Sequence, residues 1–243
     1  MTNYRIKKYN GLKVCYLNEL DGGGTSFGQD YLSFIPRLSR KKFGRVYEWC
    51  AGPGFIGFSL LANGFCDSLC VSDVHPPAIN ALKETVKING LENKVSIYHS
   101  DSLDSIPNNE KWDLVVGNPP HYKKDPTLKN LSDDNIRIVL DTDLDIHKRF
   151  FSNVKKHLNE EGVILLQENW HRVALDEFKE MLVENNIEFK FSSPFSNKFF
   201  YLCASGRNSQ IKLLKPPSWS TKYTEHSFKG KLKKLAKKIL QRN

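Results

Sequence analysis

The run Glu48-Trp49-Cys50-Ala51-Gly52-Pro53-Gly54-Phe55-Ile56-Gly57 decides how the rest of the chain is read. It follows a short apolar segment, Val46 to Trp49, that reads as a strand. It leads into Phe55 to Asn63, which reads as a helix closed by Gly64. Glycines at 52, 54 and 57 match G-x-G-x-x-G at a strand-to-helix junction. Glycine permits the tight turn and lets backbone N–H groups approach a ligand. The helix that follows turns its positive end toward the loop.

Working outward, strands and helices alternate. Ser68 to Ser72, Val95 to His99, Trp112 to Val116 and Gly162 to Gln167 read as strands. Pro76 to Asn89, Leu144 to Leu158 and Val173 to Glu184 read as helices. In the first of these, Ile79, Leu82, Val86 and Ile88 are the expected core positions, and Gly90 is the stop. Ile187 to Phe191 and Phe199 to Ala204 form a last pair of strands, joined through Pro194 and Asn197 as an edge hairpin. This alternation means a parallel sheet with helices on both faces. Before it, residues 4–17 read as a β-hairpin around Asn10-Gly11, a favoured two-residue turn. The loop Asp21 to Thr25 follows, then a helix over Ser26 to Arg40 that Pro36 breaks or kinks. After Gly206 the pattern fades into a Pro-Pro linker. Phe228, Leu232, Leu235 and Ile239 then recur at helical spacing among lysines.

The 243 residues suit one α/β domain with additions, and 40% hydrophobic content suits a globular core. No run is long enough to span a bilayer, and the N-terminus has no apolar signal core, so a cytoplasmic location is expected. Cys15, Cys50, Cys66, Cys70 and Cys203 form no C-x-x-C pair and no metal-ligand cluster, so free and mostly buried thiols are expected. The net charge is +9, yet from Arg207 onward eleven cations face a single acid, Glu225. The body is therefore close to neutral and the tail holds the charge.

Two cofactor chemistries use such a glycine loop. A dinucleotide would place its pyrophosphate at the helix N-terminus and its ribose on Asp73, at the end of the second strand. S-adenosylmethionine also needs a ribose-binding acid there, but presents an amino group and a carboxylate. Glu48 favours the second, because an acid before the loop repels a pyrophosphate and suits a cationic amine.

The run Val115-Val116-Gly117-Asn118-Pro119-Pro120-His121-Tyr122 ends the fourth αβ-core strand. Loops at the carboxyl ends of parallel strands line the ligand crevice. A stiff Asn-Pro-Pro turn presents the Asn118 side-chain oxygen and the Pro119 carbonyl together, two acceptors suited to a planar NH2 donor.

The ordered set Glu48-x-x-x-Gly52-x-Gly54, Asp73, Asp101 and Asn118-Pro119-Pro120-His121 resembles the class I S-adenosylmethionine-dependent methyltransferases. More narrowly, it is similar to the group with an Asn-Pro-Pro-aromatic motif. That group includes release-factor glutamine methyltransferases, small-domain ribosomal RNA guanine methyltransferases, and DNA and RNA adenine amino-methylating enzymes. The resemblance covers residues 26–206. It implies an α/β, doubly wound, mostly parallel seven-stranded Rossmann-like sheet with helices on both faces, here with an N-terminal hairpin and a basic C-terminal helix. It implies a cofactor lid and substrate side over 1–43, the cofactor-binding domain over 44–206, and a linker with a basic tail over 207–243. It also implies roles. Glu48, Gly52 and Gly54 hold the methionine part of S-adenosylmethionine, Asp73 the ribose, and Asp101 with Ser102 the adenine; Gln29 is a weaker candidate from the covering helix. Asn118, Pro119 and Pro120 place the acceptor nitrogen.

His121 departs from the Tyr or Phe of that group. It can stack on a planar substrate, as can Tyr122, and it can titrate near neutrality. Plain stacking is the favoured expectation. The N-terminal 43 residues are also shorter than the helical substrate domain usual in release-factor enzymes. The polar stretch Asp125 to Asp143 reads as a substrate lid. The tail suits RNA or DNA phosphates, with Trp219 and Tyr223 as stacking residues; it also suits packing on the body, or an acidic membrane surface. The expected activity is N-methylation of a protein glutamine or a nucleobase. The alternatives are a small-molecule N-methyltransferase, a dinucleotide-dependent oxidoreductase, and a non-catalytic RNA-binding module on the same fold.

Overall fold

The computed structural model describes residues 2–20, 24–39, 41–122, 139–196 and 198–214. Strands β1 (Arg5–Tyr9) and β2 (Leu12–Tyr16) form the expected antiparallel hairpin. Asn10 and Gly11 both take positive φ, as this turn requires. The hairpin docks on α3 (Pro76–Asn89): the Cys15 N–H donates to Thr85 Oγ1 at 2.9 Å, and the Lys13 N–H donates to Asn89 Oδ1 at 3.0 Å.

Helix α1 (Gly24–Leu38) starts inside the expected glycine loop and is not broken at Pro36; it runs on for two residues and stops. The central sheet then holds β3 (Phe43–Trp49), β4 (Cys66–Asp73), β5 (Val95–His99), β6 (Trp112–Gly117), β7 (Leu158–Asn169), β8 (Ile187–Pro194) and β9 (Phe199–Gly206). Its order is β5-β4-β3-β6-β7-β9-β8. All neighbours through β7 are parallel, and β9 is antiparallel to both β7 and β8. The last two strands thus make the expected edge hairpin, and the sheet is the expected seven-stranded one.

Alternate residues of each strand feed two cores, as a period of two demands. Val46, Leu114, Val163 and Tyr201 join Phe58 of α2 (Phe55–Ala62), Leu82 of α3 and Ile35 of α1 on one face. Tyr47, Val115 and Ile164 join Phe150 of α4 (Asp145–Val154) and Phe178 of α5 (Leu175–Glu184) on the other. Two expectations fail. Ile88 is exposed, because the hairpin covers α3 through Thr85 and Asn89 and leaves Ile88 beside it. The helix expected over Leu144 to Leu158 ends at Val154; a 3-10 turn over Lys155–His157 follows, and Leu158 already pairs with Trp112 as strand.

The chain leaves β3 toward β4 and β5, then returns to lay β6 on the other side of β3. This reversal opens a crevice at the carboxyl ends of β3 and β6. Trp49 pairs with Gly117 there, which sets the glycine loop beside the Asn-Pro-Pro-His turn. Among the described residues no helix is long and apolar enough to cross a membrane. The basic C-terminal helix and most of the expected lid, with Trp219 and Tyr223, lie outside the described residues.

Candidate active site

The crevice is a cleft of about 280 Å³ whose walls include Glu48, Gly52, Asp73, Asp101, Ser102, Asn118, Pro119, Pro120, His121 and Tyr122. The structure thus brings together every residue given a cofactor or acceptor role within 26–206 except Gly54 and Gln29. Gly54 sits just behind the wall, at the N-terminus of α2. Gln29 is not brought in: it is exposed on α1, while its neighbours Gly24 and Phe27 line the cleft instead.

The loop is shaped by positive φ. Gly52 has φ +51, and a Cβ there would meet nothing within 4 Å, so this residue leaves room above itself. Gly54 has φ +83, and a Cβ would come within 2.7 Å of the Phe58 ring. Cys50 takes φ +51 without being glycine, in the first turn of the loop, and its side chain is partly exposed at the cleft. The other four cysteines are buried, and all five are free.

Glu48 is almost wholly buried, and its carboxylate is engaged by the helix that follows. Oε1 accepts the Ile56 N–H at 3.1 Å and Oε2 the Gly57 N–H at 2.7 Å. These are orphan donors of the first turn of α2. Burial pushes the carboxyl up to about 8, against the pull of those two N–H groups. The sequence reading gave Glu48 only a ligand role; its helix-capping role went unseen, although an acid placed eight and nine residues before the second and third positions of a helix is its one signal.

Asp73 accepts the Gly52 N–H on Oδ2 at 2.7 Å and the His75 N–H on Oδ1 at 2.8 Å. A carboxylate offers about four lone-pair positions, and with the Val74 N–H also bearing on it, part of that capacity remains for a ligand. Burial raises its pKa, and the His75 and Gly52 N–H groups oppose that. Asp101 is exposed at the rim and paired with Arg149 at 3.0 Å, a partner that no local motif marks. Arg149 also reaches Asp145 at 3.0 Å and Asp104 at 3.7 Å. Ser102, at φ +49, is buried, and its hydroxyl has no partner among the described residues.

The acceptor side is rigid from behind. The Tyr31 hydroxyl lies 2.8 Å from the carbonyls of both Gly117 and Leu165, donating to one, and takes the Gly117 N–H at 3.3 Å. Helix α1 is thereby fastened to the root of the Asn118 turn. Asn118 Oδ1 is buried and has no hydrogen-bond partner among the described residues. His121 is buried and uncharged at neutral pH; burial, and then the nearby His147, pull its pKa down to about 4. Its ring stacks along Tyr122 at 6.1 Å and meets the edge of Phe199 at 6.1 Å. The Arg172 guanidinium covers the Tyr122 ring at 3.8 Å. The Tyr122 N–H donates to the Val139 carbonyl and the Asp141 N–H to the Tyr122 carbonyl, both at 2.9 Å, which fastens the last part of the Asp125 to Asp143 stretch to the end of the Asn-Pro-Pro-His turn.

These features fit the chemistry of S-adenosylmethionine: an open glycine turn, the partly free carboxylate of Asp73, the acid Glu48 below the loop, and the unpaired hydroxyl of Ser102. They do not fit a pyrophosphate, because Glu48 already fills the helix N-terminus with a carboxylate.

Residues 31–189 match the family model described as methyltransferase small domain, and the chain belongs to that family. It is 32% identical over 157 residues to a release factor glutamine methyltransferase of Clostridium acetobutylicum, covering 61% of this chain and 53% of that protein. It is 33% identical over 123 residues to a ribosomal RNA small subunit methyltransferase C of Actinobacillus pleuropneumoniae, covering 49% of this chain and 35% of that one. The chain thus spans about half, or less, of the length of the curated relatives it matches. A T. thermophilus 16S rRNA N2 G1207 methyltransferase, solved with AdoMet and guanosine, shares the fold at a TM-score of 0.59 and 15% identity, over 84% of this chain and 50% of that one. The fold and the cofactor class are those of S-adenosylmethionine-dependent methyltransferases.

Proposed function

We propose that this chain moves a methyl group from S-adenosylmethionine to a planar NH2 nitrogen, either a carboxamide or the exocyclic amine of a nucleobase. The observation that carries this reading is the buried, unpartnered Oδ1 of Asn118 at the cleft wall. A buried acceptor without a donor is costly, so it is kept for a ligand that brings one.

S-adenosylmethionine supplies the electrophilic methyl on its sulfonium sulfur. The remaining lone pairs of Asp73 take the ribose hydroxyls. Glu48 and the turn at Gly52 and Gly54 hold the amino-acid end, while Asp101 and Ser102 hold the adenine. Residues 1–43 supply the cover through Gly24 and Phe27. The lone pair of an amide or aryl amine is conjugated and so poorly nucleophilic. Asn118 Oδ1 and the Pro119 carbonyl each accept one N–H, fix the NH2 plane, and turn the lone pair toward the methyl. The rate gain comes from placement and from acceptors that strengthen as the nitrogen becomes positive. Phe27, Phe199 and His121 give the planar acceptor its stacking walls.

The relatives that act on glutamine favour a protein acceptor, and the cationic tail favours a nucleic acid. The deciding experiment is transfer of label from radiolabelled S-adenosylmethionine into whole-cell extract, followed by RNase or protease. Asn118→Ala should lose about a hundredfold or more of the transfer while keeping cofactor affinity. Transfer that survives the substitution, or cofactor binding that disappears with it, would sink the assignment. Release of label by RNase identifies an RNA acceptor, and release by protease a protein one. No label in either fraction leaves a small-molecule amine or a binding module.

A further inference from the structure

Behind the Asn-Pro-Pro-His turn lies a chain of ionisable side chains that no role above uses. Asp141 Oδ2 is 2.5 Å from His147 Nδ1, and His147 Nε2 is 3.1 Å from Glu168 Oε1. All three residues are fully buried. Asp141 also accepts the N–H groups of Ile146 at 2.8 Å and His147 at 3.3 Å, which fixes it at the start of α4. Trp49 and Phe178 wall the His147 ring at 5.3 Å each. The chain is complete except at one end. Glu168 Oε2 has no hydrogen-bond partner among the described residues, and neither has Nδ1 of His121. These two buried atoms face each other across 3.9 Å.

We propose that His121 is a catalytic base that receives the proton shed by the methylated nitrogen, and that Glu168 is the positioning residue that orients its ring and steadies the resulting imidazolium, held in turn by His147 and Asp141. The inference rests on the methyl-transfer reading above. The acceptor nitrogen forms its N–CH3 bond as the C–S bond breaks, and that electron pair leaves with the sulfur. The nitrogen, now positive, gives His121 Nε2 the N–H proton that the Pro119 carbonyl, beside the His121 ring, had held, while Asn118 Oδ1 keeps the other. The ring, already protonated on Nδ1 and now cationic, closes on Glu168 Oε2, and the product leaves neutral.

The surroundings suit this traffic. His121 is faced by Glu168 from β7, His147 from α4, Asp141 before α4, and Arg172 after β7. Burial, His147 and Arg172 keep the resting ring neutral, which is the form able to take a proton. A protonated amide or aryl amine is a far stronger acid than an imidazolium, so a ring poised low is still base enough. Burial works against a charge on His147, but Glu168 and Asp141 on either side outweigh it and hold its pKa up to about 9. Asp141 and Glu168 flank His147, and the free oxygen of Glu168 is the end of this chain that faces His121. A Tyr or Phe at position 121 has no ring nitrogen to join this chain.

The test uses the full-length protein with two substitutions, His121→Phe, which keeps an aromatic ring, and Glu168→Gln, which keeps shape without charge. Each should lower kcat about tenfold or more and leave the acceptor KM within about twofold. The wild type should lose rate as falling pH protonates His121 in advance, and His121→Phe should lack that acid limb. Unchanged kcat and the same pH profile in His121→Phe would overturn the proposal. Imidazole nitrogen NMR supplies an arm that needs no acceptor. At neutral pH His121 should carry its proton on Nδ1, and Glu168→Gln should move its titration to lower pH. The opposite tautomer, or a titration indifferent to residue 168, would also overturn it. Should Glu168→Gln not fold, Asp141→Asn takes its place in both arms. If the wild type transfers no methyl at all, the reaction reading fails, and the NMR arm still decides whether His121 and Glu168 are coupled.

Discussion

Glu48 carries two tasks on one carboxylate. It satisfies two N–H groups at the head of α2, and it lines the cleft in which the proposed function places the cationic amine of the cofactor. Its pKa of about 8 means that near neutrality it is mostly protonated, and a bound ammonium favours the ionised form. Cofactor binding should therefore release a proton, and affinity should rise as pH increases toward about 8. Calorimetry in buffers of different ionisation enthalpy reads this directly; no proton release, or the same release from Glu48→Gln, would remove the amine contact from Glu48. Asp73→Ala should weaken cofactor binding by about tenfold or more, since two charge-assisted hydrogen bonds are lost; unchanged affinity would sink the ribose assignment. At this scale the sequence was readable where a residue type has few uses: Asp73 and Asn118 stand where expected. It was not readable where function depends on a partner far along the chain. Nothing local marks Asp141 and His147 as neighbours of Glu168, and the one available cue was the polar run Gln167-Glu168-Asn169 closing an apolar strand.

The glycine loop and α2 act as one element, and Gly54 shows why. Any side chain at φ +83 is strained, and a Cβ would also press within 2.7 Å of Phe58 and 2.8 Å of Leu82. Gly54→Ala should cost about 1–3 kcal/mol of stability and loosen cofactor binding with it. Gly52→Ala meets only the backbone penalty, because its Cβ faces open space. Chemical denaturation of the two variants should rank them in that order; equal losses would mean that the Phe58 contact yields freely. Elements with a strong period were legible: β3 to β6, α2 and α3 lie where their patterns put them. The boundary near Leu158 was not, because the choice between helix and strand there is made by pairing with Trp112, a residue of a different strand. Ile88 was a misjudged position of another kind: it stands two residues past Val86, about 200° round the helix and off the face that Ile79, Leu82 and Val86 share.

Across the whole molecule, the chain reversal between β3 and β6 concentrates the buried acids and histidines in one place, and stability should report it. His147, ordinarily near 6.5, is held up to about 9, so its contribution is fully present below about 6.5 and is lost as pH rises through 9. Glu48, raised from 4.5 to about 8, acts in the same direction over a lower window. The melting temperature should therefore fall on the alkaline side, between pH 6.5 and 9, rather than only in acid. A flat profile there would mean that His147 is neutral in the folded state. The fold class, the edge hairpin, and the meeting of the two motifs were legible from the sequence, because local periodicity and one glycine turn constrain them. The acceptor was not, because it is chosen by surfaces around the cleft that no short motif encodes.

The bridge between Tyr122 and Leu140 has an evolutionary consequence. Its two backbone hydrogen bonds hold Tyr122 beside Val139 and Asp141, so these two segments are fastened to each other whatever length of chain joins them. Residues added or removed between those points leave the fastening in place, since joining its ends through a longer chain costs little extra entropy. Changes of clientele within this lineage should accumulate between those two points, while Asn118 and Asp73 stay put.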